Sequence, residues 1–433
     1  MPFLSMEIRE CASLEHKVVE ICAGAGGQAL GLERAGFRHA LAVELDHYPA
    51  ATLSRNRPRW KVAHGDVADP AVWDPDEYPD VSLLAGGVPC PPFSIAGKQL
   101  GSADERDLFA WAVELCVRMR PKALMLENVR GLSMPRFAAY RQAVLDRLSE
   151  VGYVADWKLL QASDYGVPQL RPRFVLVALR TEDAPYFQWP EHSSGNISVG
   201  EALRELMGSN GWIHAMEWAN AVTGIAPTIV GGSKKHGGAD LGPTRVKRAW
   251  REMHVDAMGV ADHAPSAVHP HFSVKPPRLT VEMVARLQGW DREANWAFVG
   301  GKTAQYRQIG NAFPPPIAEA VGRSIKAALE HKSEVEGARQ VVEHTIHDDV
   351  YRALREARDF LAIGQLLERL TYPYAALELE RRIDNLDKDF IIEKKITNNG
   401  IAYRLGEFKA FVGQANHHRH LAFTESTTRS KIS

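Results

Sequence analysis

Residues 17–46 constrain the fold more than any other part of the chain. An apolar run (Lys17-Val18-Val19-Glu20-Ile21-Cys22) leads into the turn Ala23-Gly24-Ala25-Gly26-Gly27. A stretch with helical spacing (Leu30, Leu32, Ala35) follows and closes at Gly36. A second apolar run, Ala40-Leu41-Ala42-Val43, then ends in Glu44-Leu45-Asp46. Strand, glycine loop, helix, strand and acid in this register describe a nucleotide-type site. Glycines let a ligand approach the backbone, and an acid at the second strand's end accepts from ribose hydroxyls. The glycines read G-x-G-G rather than G-x-G-x-x-G, which leans toward S-adenosylmethionine (SAM) and leaves a dinucleotide open.

The alternation continues. Val62-Ala63-His64 is a short strand followed by Gly65-Asp66-Val67; Asp66 could accept from an adenine amino group or simply cap a turn. A strand at 81–85 runs into Gly86-Gly87-Val88-Pro89-Cys90-Pro91-Pro92-Phe93-Ser94, a rigid loop of small residues suited to presenting a nucleophile. Residues 107–119 and 141–150 have helical spacing. The strand at 123–126 delivers Glu127-Asn128-Val129 to the same carboxyl edge, where doubly wound sheets bind ligands. The strand at 174–179 follows Gln169-Leu170-Arg171-Pro172-Arg173. Such alternation predicts an α/β fold with a mostly parallel sheet flanked by helices.

From about residue 181 helical periodicity fades and Gly, Pro, His and Trp rise. Lys234 and Lys235, then Arg245, Lys247, Arg248 and Arg251 around Trp250, suit contact with phosphates and bases on irregular backbone. Because the net charge is −1, any polyanion surface must be local. His254, His263, His269 and His271 match no ligand spacing, and no metal is expected. The four cysteines form no C-x-x-C pair, the start has no signal-peptide pattern, and no apolar run reaches membrane-spanning length. Order returns with a capped helix at 281–287 and another at 317–331.

Together these motifs resemble those of the DNA (cytosine-5)-methyltransferases of bacterial restriction-modification systems, over residues 17–329. They stand in the family's order: the loop from Glu20 to Gly27, Glu44, Asp66, Pro89-Cys90, Glu127-Asn128-Val129, Gln169-x-Arg171-x-Arg173, Arg278-Leu279-Thr280 through Gln288-Gly289, and Gln308-x-Gly310-Asn311. Two positions depart from it. Cys22 stands where the family usually has an adenine-stacking Phe, and Val88 replaces the first Pro of Pro-Pro-Cys, which should loosen that loop slightly.

The resemblance implies a Rossmann-like SAM-dependent methyltransferase with a mixed sheet and a smaller, irregular target-recognition domain. Its activity would be methyl transfer from SAM to C5 of a flipped cytosine in a specific duplex sequence, through an adduct of Cys90 with C6. Glu127 would bind N3 and the N4 amino group. Arg171 and Arg173 would hold the base O2, a phosphate and Glu127. SAM would contact Cys22, Ala23, Gly24, Gly26, Glu44, Leu45, Asp66, Val67, Pro89, Leu108 and Asn311. Expected DNA contacts are Ser94, Gln169, Lys234, Lys235, Arg245, Lys247 and Arg248. Expected partners are double-stranded DNA and a cognate restriction endonuclease that forms no stable complex, for a cytoplasmic bacterial monomer without membrane attachment.

The implied division is a catalytic domain at 1–180, a recognition domain at 181–275 and a return segment at 276–332. An appendage at 333–412 follows, then a flexible tail at 413–433. In the appendage, three short amphipathic helices precede two alternating segments around Asn398-Asn399-Gly400, which suggests a winged helix. Its third helix carries Glu378, Glu380, Asp384 and Asp387, a poor surface for reading a DNA groove. Three rivals compete. An amino-methyltransferase has an Asn/Asp/Ser-Pro-Pro-aromatic motif, but Cys90 offers no oxygen acceptor for an amine. RNA cytosine-5 enzymes have a much shorter recognition region. A DNA-binding module or regulator that has lost activity would not have every catalytic position filled.

Overall fold

The computed structural model describes residues 15–89, 108–192, 195–231, 240–291, 295–332, 348–397 and 400–409. The segment expected to be catalytic contains, in chain order, β1 (Lys17–Ile21), α1 (Gly27–Arg34), β2 (Arg38–Glu44), α2 (His47–Asn56), β3 (Val62–His64), β4 (Leu83–Gly86) and α3 (Leu108–Met119). Then come β5 (Ala123–Val129), α4 (Ala138–Glu150), β6 (Tyr153–Gln161), the short β7 (Gln169–Leu170) and β8 (Pro172–Arg180). Seven strands form one sheet in the order β3-β2-β1-β4-β5-β8-β6. Strands β1 to β5 pair in parallel, and β8 runs antiparallel between β5 and β6.

Side-chain alternation explains why these strands are apolar throughout. Val19, Ile21, Leu84, Leu124 and Leu126 face α3 and α4, while Val18, Leu83, Ala85, Ala123 and Met125 face the opposite layer. A parallel sheet covered on both faces needs apolar residues at both phases of the period. The second layer is α1 against a late helix, α10 (Pro315–Leu329), reached after residues 181–275. Gly31 makes their contact possible, since an added Cβ would lie 2.3 Å from the Pro315 carbonyl.

Residues 181–275, expected to form the recognition region, are less irregular than their composition suggests. They contain α5 (Val199–Gly208), α6 (Ala215–Ala221), a short strand β9 (Ala226–Pro227) and α7 (Thr244–Glu252). Helix α5 is capped by the Ser198 hydroxyl, which accepts from Glu201 N–H, and it buries Val199, Leu203 and Met207 at a spacing of four. Trp212, Trp218, Trp250 and Phe272 complete a core that continues into the return segment through Leu279, Met283, Leu287, Tyr306 and Ile309. Strand β9 pairs in parallel with β7, next in sequence to β8, in a separate two-stranded sheet. The return segment supplies α8 (Val281–Leu287), α9 (Lys302–Asn311) and α10 (Pro315–Leu329). Thr280 caps α8 as its sequence suggests, accepting from Met283 N–H.

The appendage has α11 (Asp349–Ala357), β10 (Leu361–Ala362), α12 (Ile363–Leu367), α13 (Ala376–Leu386), β11 (Phe390–Thr397) and β12 (Gly400–Phe408), with strand order β10-β12-β11. It packs on α4. Tyr351 Oη donates to Asp146 at 2.9 Å, Arg355 donates to Asp146 and Glu150, and the Phe408 ring stands edge-on to Tyr140. Glu378, Glu380, Asp384 and Asp387 are all exposed on or just beyond α13. Among the described residues, no helix is long and apolar enough to cross a membrane.

Candidate active site

The carboxyl ends of β1, β2, β4 and β5 meet at one cleft. Past β1 the backbone turns sharply, with positive φ at Cys22 (51°), Gly24 (56°) and Gly26 (90°). Glu44, at the end of β2, fixes this turn: one carboxylate oxygen accepts from Gly24 N–H and the other from Asp46 N–H, both at 2.7 Å. Burial raises its pKa, and the Asp46, Gly24 and Leu45 N–H groups resist that rise.

The cleft is lined by Cys22, Ala23, Gly24, Gln28, Glu44, Gly87, Glu127 and Asn311, among others. An added Cβ on Gly24 would meet no atom within 4 Å, so the loop backbone borders open space there. An acid, exposed loop backbone and unfilled room suit a nucleoside cofactor. The other expected cofactor residues do not line the cleft. Gly26 backs onto Trp296, 2.5 Å from where its Cβ would be. Asp66 accepts from Ala68 N–H, the turn arrangement that its sequence also allowed, and Val67 is buried. Leu108 packs against the core behind the sheet, while Leu45 and Pro89 are exposed.

The end of β4 is pressed between its neighbours. A Cβ at Gly86 would sit 2.8 Å from the Ile21 carbonyl, and one at Gly87 would sit 3.4 Å from Glu127 Oε2. Val88, the departure from Pro-Pro-Cys, stands at the edge of the described part of this loop. Its side chain is buried and its carbonyl accepts from Asn128 Nδ2 at 3.2 Å. The chain therefore leaves Val88 anchored, two residues before Cys90. Cys90 and Ser94 lie outside the described residues, as do Lys234 and Lys235.

Glu127 forms an ion pair with Arg173, Nε to Oε1 at 2.5 Å, and both side chains are nearly buried. The antiparallel register makes this possible: Val129 opposes Arg173 and Glu127 opposes Val175, so the two side chains are diagonal on one face. Burial raises the Glu127 pKa, with Arg173 and then Arg171 opposing. Such a carboxyl group is held closer to a proton-donating state than a free one.

Two expectations are corrected. Gln169, expected on DNA, is fully buried: its Nε2 donates to the Leu287 carbonyl and Gln288 Oε1, and its Oε1 accepts from Ile229 N–H. Arg171, expected on the base, is 1% exposed, and its guanidinium donates to the carbonyls of Ile229, Gly310 and Ala312. It bridges the sheet, the recognition region and the end of α9, beside Asn311. Arg171→Lys removes that planar fork. We expect about 2–4 kcal/mol less stability by urea denaturation, since buried carbonyls then go without their charge-assisted donors.

In the recognition region Arg245 and Arg248 are exposed on α7, whereas Lys247 pairs with Asp240 at 2.7 Å. Trp250, expected among base-reading groups, is fully buried in the core. Sequence reading also missed that His214, Glu217 and His271 converge. His271 Nδ1 accepts from Ser273 N–H, which directs the ring proton on Nε2 to Glu217 at 3.2 Å. The cluster is thus a hydrogen-bonded link between α6 and the segment before α8. Gln28 and Gly87 were missed as well. Adjacency to the two glycine motifs was the available signal.

The family model for C-5 cytosine-specific DNA methylases matches residues 16–327. The type II methyltransferase M.NaeI of Lentzea aerocolonigenes is 62% identical over 413 residues, covering 95% of this chain and 98% of that protein. M.NgoMIV of Neisseria gonorrhoeae is 49% identical over 319 residues, covering 73% of this chain and 98% of that protein. In fold, the chain resembles a crystal structure of a DNMT2 mutant from Spodoptera frugiperda. That match has TM-score 0.51 and 16% identity, over 73% of this chain and 100% of that one.

Proposed function

Because the chain belongs to the C-5 cytosine-specific DNA methylase family, we propose that it methylates one cytosine within a specific duplex sequence, as the modification half of a type II restriction-modification system. The observation that carries this is the buried Glu127–Arg173 pair at the strand edge where the Cys90 loop begins. Its type II relatives support the biological setting.

SAM, when bound, supplies an electrophilic methyl group. Cys22, Ala23, Gly24, Glu44 and Asn311 would hold it, with Glu44 taking the ribose hydroxyls. A cytosine inside the helix cannot reach this edge, so the base flips out. Cys90 thiolate adds to C6, which turns the ring into an enamine nucleophilic at C5. Glu127 hydrogen-bonds N3 and the N4 amino group and supplies the proton that N3 takes up as the thiolate adds. Arg173 keeps Glu127 oriented and faces the base O2. Methylation of C5 would leave S-adenosylhomocysteine; a solvent base then takes the C5 proton, the C6–S bond breaks to release the Cys90 thiolate, and N3 returns its proton to Glu127 as the aromatic ring is restored.

Duplex binding falls to the recognition region, with Ser94, Lys234 and Lys235 as further candidates. Arg245→Ala with Arg248→Ala should weaken DNA binding across all sequences. It should also reduce the slope of log affinity against log salt by about 2, one for each phosphate left without its arginine. Fluorescence anisotropy at several salt concentrations measures both.

Incubation with labelled SAM, followed by base-resolution sequencing, tests the proposal. Methyl groups should appear as 5-methylcytosine at one duplex sequence. Labelled tRNA, or N4-methylcytosine in the DNA, would overturn it.

A further inference from the structure

We propose that the side-chain amide of Gln28 grips the amino-acid end of the cofactor, with Nε2–H donating to its carboxylate and Oε1 accepting from its ammonium. The inference rests on reading the cleft as the SAM site. Gln28 is the second residue of α1, directly after the glycine loop. It is 4% exposed and lines the cleft, yet neither Oε1 nor Nε2 has a hydrogen-bond partner among the described residues. Leaving a buried polar group without a partner is costly, and native interiors rarely tolerate it. Pure packing would call for an apolar residue here, as at Ala29, Leu30 and Leu32 along the same helix. The uncompensated amide therefore marks a ligand contact.

The position selects which end of the ligand it meets. Glu44, Asp46 and Tyr48 form the wall at the end of β2, where the ribose belongs. Gly87 and Glu127 form the wall at the ends of β4 and β5, where the reacting base belongs. Gln28 stands on α1, whose opening turn is pressed against residues 312–313: a Cβ on Gly27 would lie 2.3 Å from the Phe313 carbonyl and 3.0 Å from Ala312 Cβ. The remaining end of the cofactor is zwitterionic and needs both a donor and an acceptor. A primary amide provides both, and the positive end of α1 adds attraction for the carboxylate.

Calorimetric titration of wild type, Gln28→Met and Gln28→Glu with two ligands tests this. S-adenosylhomocysteine carries the amino-acid end, whereas 5′-methylthioadenosine shares its adenine, ribose and thioether but lacks that end. Gln28→Met should weaken S-adenosylhomocysteine by about tenfold or more and leave 5′-methylthioadenosine within about twofold. Gln28→Glu should weaken S-adenosylhomocysteine further, because a carboxylate repels a carboxylate. Equal losses for both ligands, or no loss for either, would overturn the assignment. Failure of wild type to bind either ligand would instead refute the SAM reading of the cleft, and the Gln28 proposal with it.

Discussion

Cys90→Ala lowers methyl transfer by about 10⁴-fold or more, while S-adenosylhomocysteine affinity stays within about twofold. The chemistry of the ring is the reason. Cytosine C5 is a poor nucleophile, and only addition at C6 makes it reactive enough to take a methyl group. Among the described residues at this edge, none is placed to make that addition. Glu127 is held by Arg173, Gly87 has no side chain, and Cys22 belongs to the glycine loop. Serine is no substitute, since a hydroxyl is far less ionised than a thiol near neutral pH and a weaker nucleophile. Cofactor affinity survives because the groups that border the cofactor, Glu44 and the loop backbone, are fixed by bonds independent of Cys90. Tritium transfer to duplex DNA alongside calorimetry separates the two quantities.

Glu127→Gln lowers kcat by about 10²–10⁴-fold, the usual worth of a positioned acid. Glutamine can still face Arg173 and the N4 amino group, but it has no proton to give N3. The pH profile carries the mechanism. Burial raises the Glu127 pKa, so its protonated form persists to higher pH than in a free carboxylic acid. Activity that depends on that proton is present below this pKa and declines as pH rises through it. The variant should lose that decline along with most of its rate. An unchanged alkaline limb in Glu127→Gln would remove Glu127 from the proton-transfer step.

What the sequence reveals and conceals follows from the physics of each segment. Strands β1, β4 and β5 are legible because burial on both faces forces continuous apolar runs, and the acids and glycines after them stand where a sheet edge needs them. Helix α7 is not, because Trp250 is its single buried residue and its other positions read as a solvated basic loop. Helix α5 is interrupted in composition by Gly200, which the close approach of the Ala219 carbonyl requires. The Gln169-x-Arg171-x-Arg173 motif misleads for a different reason. Period-two spacing suggests three side chains on one face of a strand. The backbone instead makes tight bonds from Gln169 N–H to Val167 O and from Arg171 N–H to Gln169 O. That directs the first two side chains into the junction with the recognition region. Gln28 adjoins the glycine loop in sequence, but only the packed structure reveals that its amide lacks partners among the described residues.

Central to the proposed mechanism is a covalent bond from Cys90 to C6 of the target base. Duplex DNA carrying 5-fluorocytosine at the methylated position tests it, because fluorine at C5 cannot leave as the proton does and the adduct should accumulate. With SAM present, wild type should form a denaturant-resistant complex in one-to-one ratio, and peptide mass spectrometry should place the base on Cys90. Cys90→Ser should trap none. Trapping by Cys90→Ser, or normal methylation without any wild-type adduct, would contradict the mechanism.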